Sequence, residues 1–131
     1  MIKATISSIL SERSEIETGL RELKTLAERG GYYAYNPSTH KLITGHTYQS
    51  VDEKAVEAGL VPDANMLQKS GFVHGNVDGR GILIMGAPLL VRAFVHQLYE
   101  TRRLYPFTRI RFRNGDKLDL MDSDSIVKYL R

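Results

Sequence analysis

The chain has 131 residues, of which 42% are hydrophobic and 25% are charged, a composition typical of one globular domain. It contains no cysteine, which excludes disulfide bonds, thiol catalysis and thiolate metal ligands. The formal net charge of +3 is small, so tight nonspecific binding to nucleic acid is not expected of the chain as a whole.

The hydrophobic residues do not form a membrane segment. The longest apolar run, at 82–91, is interrupted by Gly86 and Pro88 and is too short to span a bilayer. Acidic and polar residues interrupt the first twenty positions, so the sequence does not indicate a signal peptide. We therefore expect a cytoplasmic protein without a membrane segment.

The first structural feature is an apolar heptad pattern over residues 2–27. It predicts a helix that ends at Gly30-Gly31, because glycine adopts the left-handed conformation that closes many helices. If the helix instead begins at the capping box of Ser14 and Glu17, residues 1–8 form a short strand. The positions of the pattern are Ile2, Ile6, Ile9, Ile16, Leu20, Leu23 and Ala27, with Arg13 at the one polar position.

Such a face must be covered, either by a second copy of the chain or by the body of its own domain. We predict a homo-oligomer that associates through residues 2–27 as a coiled coil. The chain then divides into an oligomerisation helix at 1–30 and an α+β ligand-binding domain at 31–131.

The middle of the chain alternates short strands and short helices. Aromatic and β-branched residues at 32–35 and 41–44 flank a cluster of turn-forming residues, which predicts a strand pair. Ser50 and Glu53 form a capping box, which predicts a helix from Ser50 to Gly59. A second short helix is predicted at 62–69.

A second hairpin is predicted at 72–77 and 81–85, around the turn dipeptide Asp78-Gly79. The strand at 81–85 is apolar on both faces, which predicts a central place in the sheet. The segment Gly86-Ala87-Pro88 then leads into a helix at 88–104, with proline at a favourable position in its first turn.

A third hairpin follows, with its first strand at 107–113. A three-residue loop at 113–115 pairs Ile110 with Leu118, whereas a two-residue loop would place charged residues beside core residues, so side-chain parity favours the longer loop. A final helix begins at Asp122 or Ser123. Together these elements predict an α+β fold: a long N-terminal helix, a mainly antiparallel sheet of hairpins, and a packed helix near 88–104.

Basic residues are concentrated at 79–117, which holds eight basic and two acidic side chains. Arg109, Arg111 and Arg113 fall on one face of a strand, about 6.6–7 Å apart. The planar guanidinium group pairs with phosphate or carboxylate through two hydrogen bonds, so this row predicts an anion site. The alternative is a solvated surface on which Asp119 neutralises Arg109 across the hairpin.

Tyr105 and Phe107 lie near these arginines in the sequence and are candidates for stacking on a base, and Tyr33 and Tyr35 share a strand face that could form a second ligand surface. The alternative for the tyrosines is a half-buried place in an edge strand. The predicted ligand-binding set is Arg102, Arg103, Tyr105, Phe107, Arg109, Arg111, Arg113, Tyr33 and Tyr35. The junction at Gly86-Ala87-Pro88, where a strand meets a helix N-terminus, is a second candidate for an anion.

No catalytic motif is present, and the four histidines show neither metal-binding nor triad spacing. We therefore expect no catalytic residue, metal or cofactor. The sequence favours a non-enzymatic, homo-oligomeric protein that holds a phosphorylated, nucleotide-like small molecule; by analogy of size alone, a viral protein that sequesters a nucleotide signal would fit. The alternatives are a nucleic-acid-binding module and an interaction protein, such as an inhibitor, that docks on an acidic partner.

Overall fold

The computed structural model describes residues 17–36, 39, 41–63, 72–105 and 107–131. Within them, four α-helices and six strands follow one another along the chain, and a short 3₁₀ helix follows the third helix. The elements are α1 (17–29), β1 (Gly31–Asn36), β2 (Lys41–Gly45), α2 (Tyr48–Glu57), β3 (Val73–Val77), β4 (Gly81–Ile84), α3 (Pro88–Glu100), the 3₁₀ helix (Arg102–Leu104), β5 (Arg109–Phe112), β6 (Lys117–Asp119) and α4 (Ser123–Leu130).

The strands form one six-stranded sheet in the order β2-β1-β3-β4-β5-β6. Every neighbouring pair is antiparallel except β4 and β5, which run in parallel and are joined through α3. The fold is therefore α+β with a mainly antiparallel sheet, as the sequence predicts. The strand β4 lies between β3 and β5, which confirms its predicted central place.

One face of the sheet carries the main hydrophobic core. Tyr33 and Tyr35 of β1 are fully buried and pack on Phe94 of α3, with ring centroids 5.9 and 4.9 Å apart. Leu98 and Ile126 add buried side chains from α3 and α4 to the same cluster. The other face has a smaller core, which α2 covers over β1 and β2 with Val51 and Ala55.

Helix α1 ends at Gly30, whose φ of 75° and amide bond to the carbonyl of Leu26 close the helix as predicted. Leu20, Leu23 and Ala27 are at most 1% exposed and belong to the main core of the same chain. This part of the heptad face therefore packs along its own domain. The heptad positions before residue 17 lie outside the described residues.

Two local predictions differ from the structure or lie outside it. Helix α2 begins at Tyr48 rather than Ser50, because the Thr47 hydroxyl caps it by accepting a hydrogen bond from the Ser50 amide at 3.0 Å. The helix predicted at 62–69 falls largely outside the described residues. In the described part of the chain, no helix is long and apolar enough to cross a membrane.

The last hairpin has the predicted three-residue loop. Arg109 lies opposite Asp119, and Ile110 lies opposite Leu118. Gly115 has a φ of 93° and donates its amide to the carbonyl of Phe112 at 3.0 Å. Because glycine adopts this left-handed conformation without steric cost, it fixes the loop and with it the face on which the arginines lie.

Candidate anion-binding site

A groove of about 850 Å³ lies at the carboxyl ends of the parallel strands β4 and β5. Met85 and Gly86 follow β4 along one side, and Arg113 and Asn114 follow β5 along the other. In α/β sheets, ligands bind in the crevice outside the carboxyl ends of parallel strands. The volume is within the usual range for small-molecule sites.

The N-terminus of α3 opens onto this groove. Ala87 is its N-cap and Pro88 its first residue, and no side chain caps the helix. The first turn carries no acidic side chain, and Val91 donates the first helical bond to the carbonyl of Ala87 at 2.9 Å. Free amide groups and the helix dipole favour an anion at such an end.

The β5–β6 turn supplies the charged side chains of the groove. Arg113 and Lys117 are exposed and line it, together with the exposed carboxylate of Asp116. Two hydrogen bonds join Asp116 and Asn114. The Asn114 side chain donates to the Asp116 carboxylate at 3.0 Å and accepts from the Asp116 backbone amide at 2.9 Å. With two cations and one anion, the side chains of the turn contribute a net charge of +1.

His74 is the one buried polar side chain of the groove among the described residues. It is 5% exposed, and its Nδ1 atom has no hydrogen-bond partner. Burial lowers the pKa of His74 below its usual 6.5; Asp52 opposes this shift, and Arg113 adds to it. Burial therefore favours the neutral form of His74, and its unpaired Nδ1 atom is itself buried.

The remaining wall of the groove is apolar. Phe112 and Tyr129 stack with ring centroids 5.2 Å apart and an angle of 25° between their planes. Both rings are half-buried, while Ile84 and Val91 are buried beneath the groove. The site thus combines an anion-binding end with an aromatic surface, the arrangement expected for a ligand that carries both a phosphate and a ring.

The aromatic residues of the predicted ligand set are buried in the core. Tyr33, Tyr35 and Phe107 are fully buried, and Tyr105 is 8% exposed and stacks on Phe107 at 4.8 Å. Tyrosine has an apolar ring and a polar hydroxyl, so strand alternation alone does not show which face is covered. The structure brings none of these four side chains to the groove.

Arg102 and Arg103 close the segment after α3 and lie apart from the groove. Arg102 donates to the carbonyl of Tyr99 at 2.8 Å and lies over the Tyr99 ring, 4.2 Å from its centroid. This contact holds Arg102 at the end of the helix, where a cation is favourable. Arg103 is exposed.

Arg109 and Arg111 lie exposed on the sheet face opposite the main core, as their alternation with buried Ile110 predicts, whereas exposed Arg113 follows β5 in the turn. None of the three guanidinium groups forms an ion pair or a hydrogen bond with any residue that the structure describes. Only Arg113 lines the groove. The predicted arginine row therefore exists, and it meets the groove at one end.

Sequence reasoning pointed to the Gly86 junction but missed His74, Lys117 and the Phe112–Tyr129 stack. The missing information was the parallel pairing of β4 with β5, which places these separate segments at one end of the sheet. No group of three or more His, Asp or Glu side chains among residues 17–36, 39, 41–63, 72–105 and 107–131 is arranged to hold a metal ion.

The function of the protein has to be inferred from the geometry of the site. Comparison of the chain with protein-family models, with curated proteins and with solved structures finds no match.

Proposed function

We propose that the protein binds a phosphorylated, nucleotide-like small molecule in the groove at the carboxyl ends of β4 and β5. The observation that carries the proposal is the uncapped N-terminus of α3, which lines the same groove as the exposed cations Arg113 and Lys117. A phosphate oxygen accepts hydrogen bonds from free helix amides and from guanidinium and ammonium groups.

In this proposal the phosphate lies between the first turn of α3 and the side chains of Arg113 and Lys117. The two cations offset the cost of removing the phosphate from water. The ring of the ligand packs against the half-buried surface of Phe112 and Tyr129, which are already stacked. Asp116 lies at the rim, where its bonds with Asn114 hold it.

The proposed activity is binding without turnover, in the cytoplasm. Among the described residues that line the groove, His74 and the exposed Asp116 do not share a hydrogen bond and so do not form an acid–base pair. The proposal includes self-association, and it assigns the contact between copies only to the heptad positions before residue 17. A bound nucleotide signal would then be sequestered rather than converted.

Calorimetric titration with adenosine monophosphate and with adenosine tests the role of the phosphate. We expect the monophosphate to bind and adenosine to bind at least tenfold more weakly, because charged hydrogen bonds contribute about 1.5–3 kcal/mol. The variants Arg113→Gln and Lys117→Gln should each weaken monophosphate binding by about tenfold.

The control is Arg103→Gln, which removes an equally exposed arginine outside the groove. Its affinity should equal that of the unmodified chain. Equal binding of adenosine and its monophosphate, or equal losses in all three variants, would contradict the proposal, because either result removes the specific role of the phosphate.

A further inference from the structure

The open arginine row continues from the groove along β5. Arg109 and Arg111 are exposed on one face of β5, exposed Arg113 follows in the turn, and α2 packs on the same side of the sheet over β1 and β2. Leu83 of β4 lies beside Arg111 on one side, and Lys117 of β6 lies beside it on the other. Arg109 and Arg111 are about 6.6 Å apart along the strand, and Arg113 extends the row into the turn.

The row is not neutralised across the hairpin. Asp119 lies opposite Arg109, yet one of its carboxylate oxygens accepts the backbone amide of Met121 at 2.8 Å. In the described part of the chain no carboxylate lies within 4.0 Å of any of the three guanidinium groups. Three arginines without an ion pair to a described residue, two on β5 and one in the turn after it, are a strong local charge for a chain of net charge +3.

The groove and the row share residues. Arg113 ends the row and lines the groove, and Lys117 lines the groove while lying directly opposite Arg111. A ligand that starts in the groove therefore meets further cations along β5 towards Arg109. A mononucleotide does not use them.

We propose that the ligand is a short single-stranded oligonucleotide whose terminal phosphate occupies the groove while its following phosphates lie along the arginine row. This inference rests on the proposed function, because the groove provides the terminal-phosphate site. Phosphates of one strand are about 3.4 Å apart along a helix and further apart when extended, so the row accommodates roughly two to four of them.

The row recognises the backbone rather than the bases. The neighbouring aromatic side chains, Tyr105 and Phe107, are buried and stack on each other, so they offer no surface to a base. Guanidinium groups bind the phosphate oxygens that every nucleotide carries. Beyond its first ring, the oligonucleotide is therefore bound without regard to sequence.

The test compares 5′-phosphorylated strands of one, two, four and eight nucleotides with their unphosphorylated counterparts by fluorescence anisotropy competition. Affinity should rise at least tenfold from one to four nucleotides and then level off. At each length, removal of the terminal phosphate should weaken binding at least tenfold. For the tetranucleotide, each phosphate contact that a variant removes should reduce the slope of log affinity against log salt concentration by about 0.7.

The double variant Arg109→Gln/Arg111→Gln separates the inference from the proposed function. It should abolish the gain with length and reduce the salt slope by about 1.4, while mononucleotide affinity stays unchanged. Lys128→Gln, an exposed charge change on α4, is the control and should alter neither quantity.

Two kinds of failure are distinguishable. If the mononucleotide binds but length has no effect, the inference is overturned and the proposed function stands. If the mononucleotide does not bind at all, the proposed function fails, and the inference fails with it. Equal binding of a blunt duplex, or of an acidic peptide of the same charge, would also overturn the single-strand assignment.

Discussion

Arg109 and Asp119 face each other across β5 and β6, yet they do not form an ion pair, and one oxygen of the Asp119 carboxylate accepts the backbone amide of Met121 at 2.8 Å. That bond anchors the turn that leads into α4. The result is an exposed arginine without a counter-charge at the start of the row. The electrostatic character of this face is therefore set by the hairpin register together with one turn hydrogen bond.

The first prediction concerns the heptad face of α1. Leu23 is fully buried in the core of its own chain, so Leu23→Ala should lower the free energy of unfolding by about 2–5 kcal/mol. Urea denaturation measures this loss. If Leu23 instead served only an interface between copies, the variant would reduce the mass measured by sedimentation and leave the unfolding of the subunit unchanged.

Lys24→Ala is the matched control on the same helix. Lys24 is exposed, so its replacement should change the free energy of unfolding by no more than about 0.5 kcal/mol. A comparable loss in both variants would show that α1 tolerates no substitution, and the burial of Leu23 would then not be the cause.

The second prediction concerns a bond that holds β4 in place. The Tyr33 hydroxyl donates to the carbonyl oxygen of Leu83 at 3.0 Å, although the two residues belong to strands separated by β3. Tyr33→Phe keeps the ring against Phe94 and removes this bond. It should cost about 1 kcal/mol of unfolding free energy in thermal or chemical denaturation.

Tyr32→Phe is the control, because Tyr32 precedes Tyr33 on the other face of β1 and its hydroxyl has no hydrogen bond to any described residue. No loss is expected there. An equal loss in both variants would contradict a specific role for the Tyr33–Leu83 bond.

The third prediction concerns the glycine that lets Tyr33 reach β4. Gly75 lies directly opposite Tyr33, and a Cβ atom there would overlap the carbonyl oxygen of Leu83. Gly75→Ala must therefore displace β3 from β4, and the loss should exceed that of Tyr33→Phe in the same denaturation experiment. Gly79→Ala, where a Cβ atom meets no neighbour, is the control; a smaller loss at Gly75 than at Gly79 would contradict the close packing.

The fourth prediction is a pH dependence of stability. Because burial lowers the pKa of His74 in the folded chain, the unfolded chain binds more protons once the pH falls below about 6.5. The stability that neutral His74 provides is complete above pH 6.5 and is lost as the pH falls through the lower, folded pKa. Urea midpoints at pH 7.5 and 5.5 should therefore differ more for the unmodified chain than for His74→Gln.

The groups that face His74 set the pH range of that experiment. Asp52, which opposes the shift of His74, has a pKa raised above its usual 3.8, chiefly by burial. The Tyr48 ring meets His74 edge-on at 6.1 Å and stays neutral, since burial raises its pKa to about 12. An equal pH dependence in the unmodified chain and in His74→Gln would contradict the prediction.

Local sequence rules predicted the fold where a short segment decides the outcome. The loop at 113–115 follows from parity alone, since only that length keeps Ile110 and Leu118 on one face. The predicted start of α2 was wrong because Thr47 and Ser50 are both residue types that suit an N-cap. In the structure the Thr47 hydroxyl accepts the hydrogen bond from the Ser50 amide, so Thr47 is the N-cap.

The site depends on contacts between distant segments, which a single sequence does not specify. A helix between β4 and β5 permits a parallel crossover, but the sequence does not show that the two strands are neighbours, and it is this pairing that brings Gly86 to Arg113. His74 gives no sequence signal either, because its role depends on burial beside Met85, with which it exchanges two backbone hydrogen bonds. The arginine row was visible because alternation along one strand is a local property.

The central claim is that a phosphate binds at the N-terminus of α3, and amide chemical-shift mapping during titration with adenosine monophosphate tests it most directly. We predict that the largest shifts occur at Leu89, Leu90 and the amides of 113–117, and that adenosine does not produce the shifts at α3. Shifts confined to the segment around Arg102 and Arg103, or no shift at millimolar ligand, would contradict the claim.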